Sequence, residues 1–506
     1  MSRLLVCLAA LALSALLSFS GCGGGKDPVA VPAAPARGTL LQNPPQLLST
    51  QSVAALLSQL SGGANQLLLA LSGIPLCDIQ VYQIRYATVG GANEATSASG
   101  ALMLPSGLDP NCLGARPVVL YAHGTTTDRA FNIANLSDPQ NAEGLLMAAL
   151  FAAQGYIVVA PNYAGYDSST LGYHPYLNGD QQSKDMIDAL AAARSALPAA
   201  QAPLTTDSGR LLITGYSQGG YVAMATQRAM QAAGMTVTAS APMSGPYALA
   251  AFVDAVFNGE VNAGAPVLTT FLMTAYQKSY GNIYASSVDV FEAPYAASID
   301  NLLPTTLSRS ELYAQNKVPQ KVLFSVVPPD SSFASGTPAL TPINLAPVFA
   351  AGFGAGNLIK NSYRLSYLLD AQANPDGGSS PTLPFRQALK RNDLRNWVPT
   401  TPILLCGGNA DPSVFWLNTQ LMQNYWAAQA APPAHSSVLD LEAIASTGDA
   451  YASLKTQFAA AKQVIAAAAI AQGATDAGAA AVSDAYHSTL VPPYCLAAVR
   501  SFFAGL

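Results

Sequence analysis

From about residue 79 onward, two hydrophobic periods alternate along the chain. Short apolar runs bounded by turn residues mark buried strands, and apolar positions spaced three and four apart mark the helices that cover them. IQVYQIRYATV and SASGALMLP read as an opening antiparallel pair, while RPVVLYAHG and YIVVAPNYAG read as buried strands that run into loops. NAEGLLMAALFAAQGY and QQSKDMIDALAAARSAL have helical spacing. RLLITGYS is a further strand, followed by GGYVAMATQRAMQAAG, a helix with glycine where it should stop. Strand and helix in regular succession predict an α/β fold: a mostly parallel sheet with helices on both faces and its chemistry at the carboxyl ends of the strands.

After TVTASAPMSGPY this rhythm is lost. Residues 246–400 are rich in Tyr, Pro, Ala and Leu and contain apolar helical stretches such as PVLTTFLMTAY, so a large, mainly helical lid over the sheet's active edge is expected there. The rhythm returns with TPILLCGGNADPSV, a buried strand and turn, then the helical FWLNTQLMQNYWAAQ and the strand-like SSVLDLEAI. The core is therefore expected over 51–245 and 401–506, with a second helical insertion near 449–482 ahead of DAYHSTLVPPYCLAAVRSFFAGL, a loop and closing helix.

The N-terminus bears on the compartment. Met1-Ser2-Arg3, the apolar run from Leu4 to Leu17 and SFSGC at Ser18 to Cys22 resemble a bacterial lipoprotein signal over 1–22, with Cys22 as the lipidated residue. Ordinary secretion with cleavage nearby is the alternative, and either route takes the mature chain out of the cytoplasm. Residues 23–50 are expected to be a flexible tether. With Cys7 lost in the signal, Cys77, Cys112, Cys406 and Cys495 remain. In an oxidising compartment they suggest two disulfides, and Cys77–Cys112 and Cys406–Cys495 are favoured among three connectivities. No CxxC or HxxxH spacing supports a metal site, and no organic cofactor is implied. A formal net charge of -5 leaves no basic stripe for nucleic acid. The alanine-rich run near Ala459 to Ala471 is broken by Lys462 and Gln463 and does not read as a membrane span.

The candidate chemistry begins at Gly215-Tyr216-Ser217-Gln218-Gly219, a G-x-S-x-G motif with a strand before it and a helix after it. Glycines allow the sharp turn to pack closely, and the turn raises Ser217 at a helix N-terminus, where the dipole favours developing negative charge. A serine hydroxyl needs a base within hydrogen-bond reach. Of four histidines, His487 follows the last strand, where the base belongs in the order Ser, acid, His. Asp411, after the strand PILLC, is the expected acid, with Asp440 and Glu442 in reserve; the simpler reading of Asp411 is a turn residue satisfying its own backbone. The Gln218 N–H and the Thr125 N–H, with Thr126 as fallback, are the expected oxyanion donors. His123, which ends a strand, is expected to shape that loop, and His123, Tyr163, His174 and Tyr216 are the candidate substrate contacts. His435 reads as a surface loop residue.

This constellation resembles the α/β-hydrolase superfamily over nearly all of the chain after about residue 77. VVAPNYAGYDSSTLGYHPYL followed by DMIDALAAAR is similar to the secretory lipase family, departing from it at Asn162, where aspartate is usual, and at HGTTT in place of a glycine run. The resemblance implies hydrolysis of lipid-like or other apolar carboxylic esters through an acyl-enzyme under a lid. The implied partners are an ester substrate and, through the N-terminal lipid, a membrane, with no nucleic acid. One rival is a serine peptidase of prolyl-oligopeptidase type or a small-peptide aminopeptidase, although the roughly 55 residues between Cys22 and Cys77 are too few for the propeller such peptidases usually carry. The other is a non-catalytic lipoprotein binding lipid or sugar through Trp397, Trp416 and Trp426.

Overall fold

The computed structural model describes residues 34–62, 66–138, 141–200, 205–375 and 380–506. The expected signal segment, Cys7 and Cys22 lie outside them. Nine strands are present among the described residues: β1 (Gln46–Gln51), β2 (Asp78–Val89), β3 (Ala95–Ser106), β4 (Gly114–Ala122), β5 (Ile157–Pro161), β6 (Thr205–Tyr216), β7 (Ala239–Met243), β8 (Ile403–Gly407) and β9 (Ser436–Asp440). They form one sheet in the order β1-β2-β3-β5-β4-β6-β7-β8-β9. The β1, β2, β3 and β5 neighbours pair antiparallel, and every pairing from β5 through β9 is parallel.

Side chains alternate between two buried layers, as the strand period requires. Val118, Leu120 and Ala122 of β4 join one layer and Val119 and Tyr121 the other. Helices α1 (Val53–Ser61), α2 (Gln66–Ser72) and α3 (Ala142–Leu150) belong to the second layer, whereas α4 (Gly179–Ala196) and α5 (Gln218–Ala232) belong to the first. Asn141 and Asn178 start α3 and α4 by accepting the Gly144 and Gln181 N–H groups on their side chains.

The tether expectation is corrected for residues from 37 onward. Arg37 pairs with Asp188 at 3.0 Å, Leu40 bridges Tyr86, and β1 adds an edge strand to β2. The segment carries no hydrophobic pattern because its apolar residues are few and face outward: Leu47 and Leu48 remain 48% and 37% exposed. Its order comes from backbone pairing, which leaves no hydrophobic signature.

The lid is mainly helical, with α6 (Leu249–Phe257), α7 (Ala265–Tyr280), α8 (Ala293–Ala296), α9 (Arg309–Ala314), α10 (Ala346–Ala351), α11 (Asn361–Ala373) and α12 (Pro384–Arg391). Its apolar residues continue the α4/α5 layer. Arg386, 1% exposed, ties α12 to α6 through Asp254 at 2.7 Å and to α11 through Asp370 at 2.8 Å. A buried cation needs such partners, and removing one strands the other's charge. After β8 come α13 (Leu417–Ala427), β9, α14 (Ala452–Ala471), α15 (Ala479–Ala485) and α16 (Val491–Ala504). Both favoured disulfides, Cys77–Cys112 and Cys406–Cys495, are present. None of the described helices is long and apolar enough to cross a membrane.

Candidate active site

Backbone crowding shapes the turn at Ser217. A Cβ on Gly219 would stand 1.9 Å from the Ala122 carbonyl oxygen, and one on Gly215 would stand 2.3 Å from the Gly219 oxygen, so β4, β6 and α5 meet backbone to backbone. The serine itself has φ 59 and ψ -120, in the left-handed half of φ space that non-glycine residues avoid. Its N–H is held by the Met243 carbonyl at 3.0 Å. Such strain is stored where surrounding structure enforces it, and here it lifts Oγ clear at the start of α5.

His487 Nε2 lies 2.7 Å from Ser217 Oγ, and His487 Nδ1 lies 2.6 Å from Asp411 Oδ2. The ionised carboxylate can only accept, which assigns the proton to Nδ1 and leaves Nε2 to accept from the serine hydroxyl. Asp411 is 1% exposed, and its other oxygen accepts the Ser413 and Val414 N–H groups at 2.8 and 3.0 Å. The two readings of this residue therefore hold together: one oxygen satisfies the turn and the other meets the histidine.

His487 does not sit in a loop as expected. It lies in a widened helical turn, Tyr486–Leu490, joining α15 to α16. Pro492 and Pro493 cannot donate to the carbonyls of Ser488 and Thr489, which opens the helical ladder locally. The Tyr216 hydroxyl donates to the His487 carbonyl at 2.5 Å. The reserve acids are occupied in supporting roles. Asp440 accepts from the Asn409 amide at 2.8 Å beside the Asp411 turn, while Glu442 accepts the Tyr486 hydroxyl at 2.8 Å and pairs with Lys462.

Gln218 opens α5, so its N–H has no intrahelical acceptor. Thr125 lines the same cavity, its hydroxyl 3.0 Å from that of Tyr176. Of the expected substrate contacts, only Tyr216 lines that cavity. His123, Tyr163 and His174 are corrected to supporting positions, because all three are buried and none lines the cavity. His123 Nδ1 lies 2.7 Å from the Gly124 oxygen, and the Tyr163 hydroxyl donates to the His123 carbonyl at 3.0 Å with the rings stacked at 4.2 Å. His174 Nδ1 faces the Ala164 carbonyl at 3.0 Å, so its Nε2 accepts from the Gln218 side-chain amide at 2.7 Å. Burial keeps both imidazoles neutral, pushing His123 down to about 4 and His174 to about 3. The fallback Thr126 is held through its carbonyl by the Tyr166 hydroxyl at 2.7 Å. Asn162, the departure from aspartate, accepts the Ile133 N–H at 2.8 Å and donates to Ser99, a bridging role that needs both donor and acceptor.

The cavity in front of Ser217 has a volume of about 380 Å³ and runs between the sheet edge and the lid. Leu249, Phe252, Val253, Val256, Leu268 and Leu272 give it an apolar wall. The three tryptophans are absent from that lining, and Trp426 is a buried packing residue that donates to the Trp397 carbonyl. No cluster of metal-ligating side chains occurs among the described residues. Glu143 and Tyr176 also line the cavity and were not among the expected site residues: Glu143 belongs to no local motif, and the His-Pro segment that contains Tyr176 does not show which of its side chains faces the serine.

Residues 145–260 match the prolyl oligopeptidase family. No curated protein matches the sequence. The rice cell wall degrading esterase LipA from Xanthomonas oryzae is 30% identical, covering 84% of this chain and 95% of LipA with a TM-score of 0.63. A ligand-bound form of the same esterase gives 28% identity over 92% and 98% of the two chains, with a TM-score of 0.67. A protein from Legionella pneumophila, 18% identical over 78% of this chain and 90% of its own, shares the fold at a TM-score of 0.58. Fold and site thus define an α/β-hydrolase. The chain belongs to that superfamily and, within it, to the family that includes the LipA esterase; it is a serine ester hydrolase.

Proposed function

We propose that the chain is an exported carboxylic-ester hydrolase in which Ser217, His487 and Asp411 act as nucleophile, base and acid on esters with apolar acyl groups. The observation that carries this reading is the continuous chain of contacts from Asp411 through His487 to Ser217 Oγ, opening into an apolar cavity. His487 Nε2 takes the serine proton as Oγ attacks the ester carbonyl, and Asp411 stabilises the imidazolium. The Gln218 and Thr125 N–H groups hold the oxyanion, each worth about 2.7 to 4 kcal/mol in the transition state. The imidazolium then protonates the departing alcohol, and water repeats the sequence on the acyl-enzyme. Leu, Val and Phe along the cavity suit an aliphatic or aromatic acyl group better than a charged one.

Export is supported by two disulfides, which persist in oxidising compartments. Lipidation of Cys22 would add a membrane anchor, and mass spectrometry of the mature N-terminus tests it: an unmodified residue there removes the anchor.

The match to the prolyl oligopeptidase family favours one second reading, cleavage of small peptide amides by the same serine. Purified protein assayed on p-nitrophenyl esters and on the matching p-nitroanilides separates the two. Turnover of the esters is expected, and preference for the anilides would replace the esterase reading with the peptidase one.

A further inference from the structure

Glu143 faces the same cavity from the first turn of α3, and no step above uses it. Both its carboxylate oxygens lie 3.0 Å from the Gly124 nitrogen, and Oε2 also accepts the Tyr121 hydroxyl at 2.5 Å. The approach is close enough that a Cβ on Gly124 would stand 2.9 Å from Glu143 Oε1. Gly124 is gripped from the other side as well, since His123 Nδ1 reaches its carbonyl oxygen. In a trans peptide the C=O of one residue and the N–H of the next point in opposite directions, so holding the Gly124 carbonyl aims the Thr125 N–H. The imidazole fixes the plane that carries the Thr125 N–H and the carboxylate fixes the plane before it, so Gly124, with no side chain to restrict it, keeps its φ and ψ only while both hold. A Gly124 N–H already given to Glu143 is not available to an oxyanion, whereas no described group accepts from the Thr125 N–H.

A carboxyl group bordering a site where negative charge must develop is electrostatically unfavourable there, and its presence calls for a compensating role. Burial raises the Glu143 pKa above the ordinary carboxylate value, and the hydrogen bonds from Tyr121 and Gly124, with the charge of a protonated His487, act against that rise.

We propose that Glu143 is a positioning residue for ester hydrolysis, clamping the Gly124 N–H so that the Thr125 N–H is aimed at the oxyanion formed on Ser217. The proposal rests on the Ser217 reading above. Because the oxyanion exists only in the transition state, loss of the clamp falls on kcat and leaves KM in place.

The test is steady-state hydrolysis of a p-nitrophenyl ester series by wild type, Glu143→Ala, Glu143→Gln and Tyr121→Phe, with folding checked by thermal unfolding. Glu143→Ala is expected to lower kcat about 100-fold with KM within about threefold, the scale of one lost oxyanion donor. Glu143→Gln keeps an oxygen for the Gly124 N–H and should recover about tenfold of that loss. Tyr121→Phe leaves the cavity wall intact but frees one side of the carboxylate, so a smaller fall in kcat at unchanged KM is expected, and this variant carries the test if Glu143→Ala fails to fold. Unchanged kcat in folded Glu143→Ala or in Tyr121→Phe, a loss confined to KM, or no recovery with glutamine would overturn the proposal. Wild type inactive on every ester would overturn the Ser217 reading as well, so the two failures are distinguishable.

Discussion

Cys406 and Cys495, with Cα atoms 5.7 Å apart, join the strand that leads into the Asp411 turn to the helix that follows His487. The bond therefore crosses the candidate site as well as the chain, since Asp411 lies five residues after one cysteine and His487 eight before the other. Replacing both by alanine should cost roughly 2 to 5 kcal/mol of stability, and it should also lower kcat by loosening the Asp411–His487 contact. The Cys77–Cys112 pair, which ties β2 to the start of β4, is the control. Thermal unfolding and ester kinetics of the two double variants check this: both lose stability, and only Cys406→Ala/Cys495→Ala loses kcat while folded.

Asp411→Asn should keep the turn, because the Ser413 and Val414 N–H groups still find an oxygen, while an amide now faces His487 Nδ1. The histidine is then pushed toward the tautomer with its proton on Nε2, which cannot accept from Ser217. A fall in kcat of about 10⁴-fold with little change in KM is expected, measured on any soluble ester. Asp440 and Glu442 cannot take over, being committed to Asn409 and to Tyr486 and Lys462.

The acyl wall makes a size prediction. Each buried methylene is worth about 0.8 kcal/mol, so kcat/KM should rise about fourfold per CH₂ until the cavity is filled. Leu268→Trp narrows the cavity from α7 and should move the optimum in a p-nitrophenyl ester series to shorter chains without abolishing turnover. An unmoved optimum would place the acyl chain elsewhere.

Stability should depend on pH through the buried histidines. His174 has its pKa lowered by burial from 6.5 to about 3, so the unfolded chain binds the extra proton between those values. Its contribution is therefore fully present above pH 6.5 and is lost as pH falls toward about 3. His123, lowered to about 4, acts in the same direction. Asp185, raised by burial to about 6, acts oppositely: its contribution is present below the ordinary carboxylate range and lost as pH rises through about 6. His174→Gln should flatten the dependence of unfolding free energy on pH by up to about 1.4 kcal/mol per pH unit, as followed by denaturant unfolding between about pH 6 and 4.

What was legible in the sequence follows from locality. Ser217, Gln218 and their glycines lie within one strand-turn-helix, where the steric demand is written in adjacent residues. Asp411 and His487, whose side chains meet at 2.6 Å, stand out in the sequence because few acids and histidines follow the right strands. β1 was not legible, since an edge strand held by backbone pairing shows no apolar period. The helical form of the turn at His487 is not legible locally, because it involves prolines downstream and Tyr216, which is 271 residues away. Glu143 and the supporting roles of His123, Tyr163 and His174 arise from contacts between β4, α3 and the loop after β5, which no single stretch of sequence records.

The central claim is that Ser217 attacks the ester. Wild type and Ser217→Ala, both shown to be folded, should be compared on a p-nitrophenyl ester series and after exposure to a serine-directed phosphonate, with the adduct located by peptide mass spectrometry. Serine-dependent turnover and an adduct on the peptide carrying Ser217 are predicted. Wild-type turnover that survives in Ser217→Ala, or an adduct on another residue, would contradict the account.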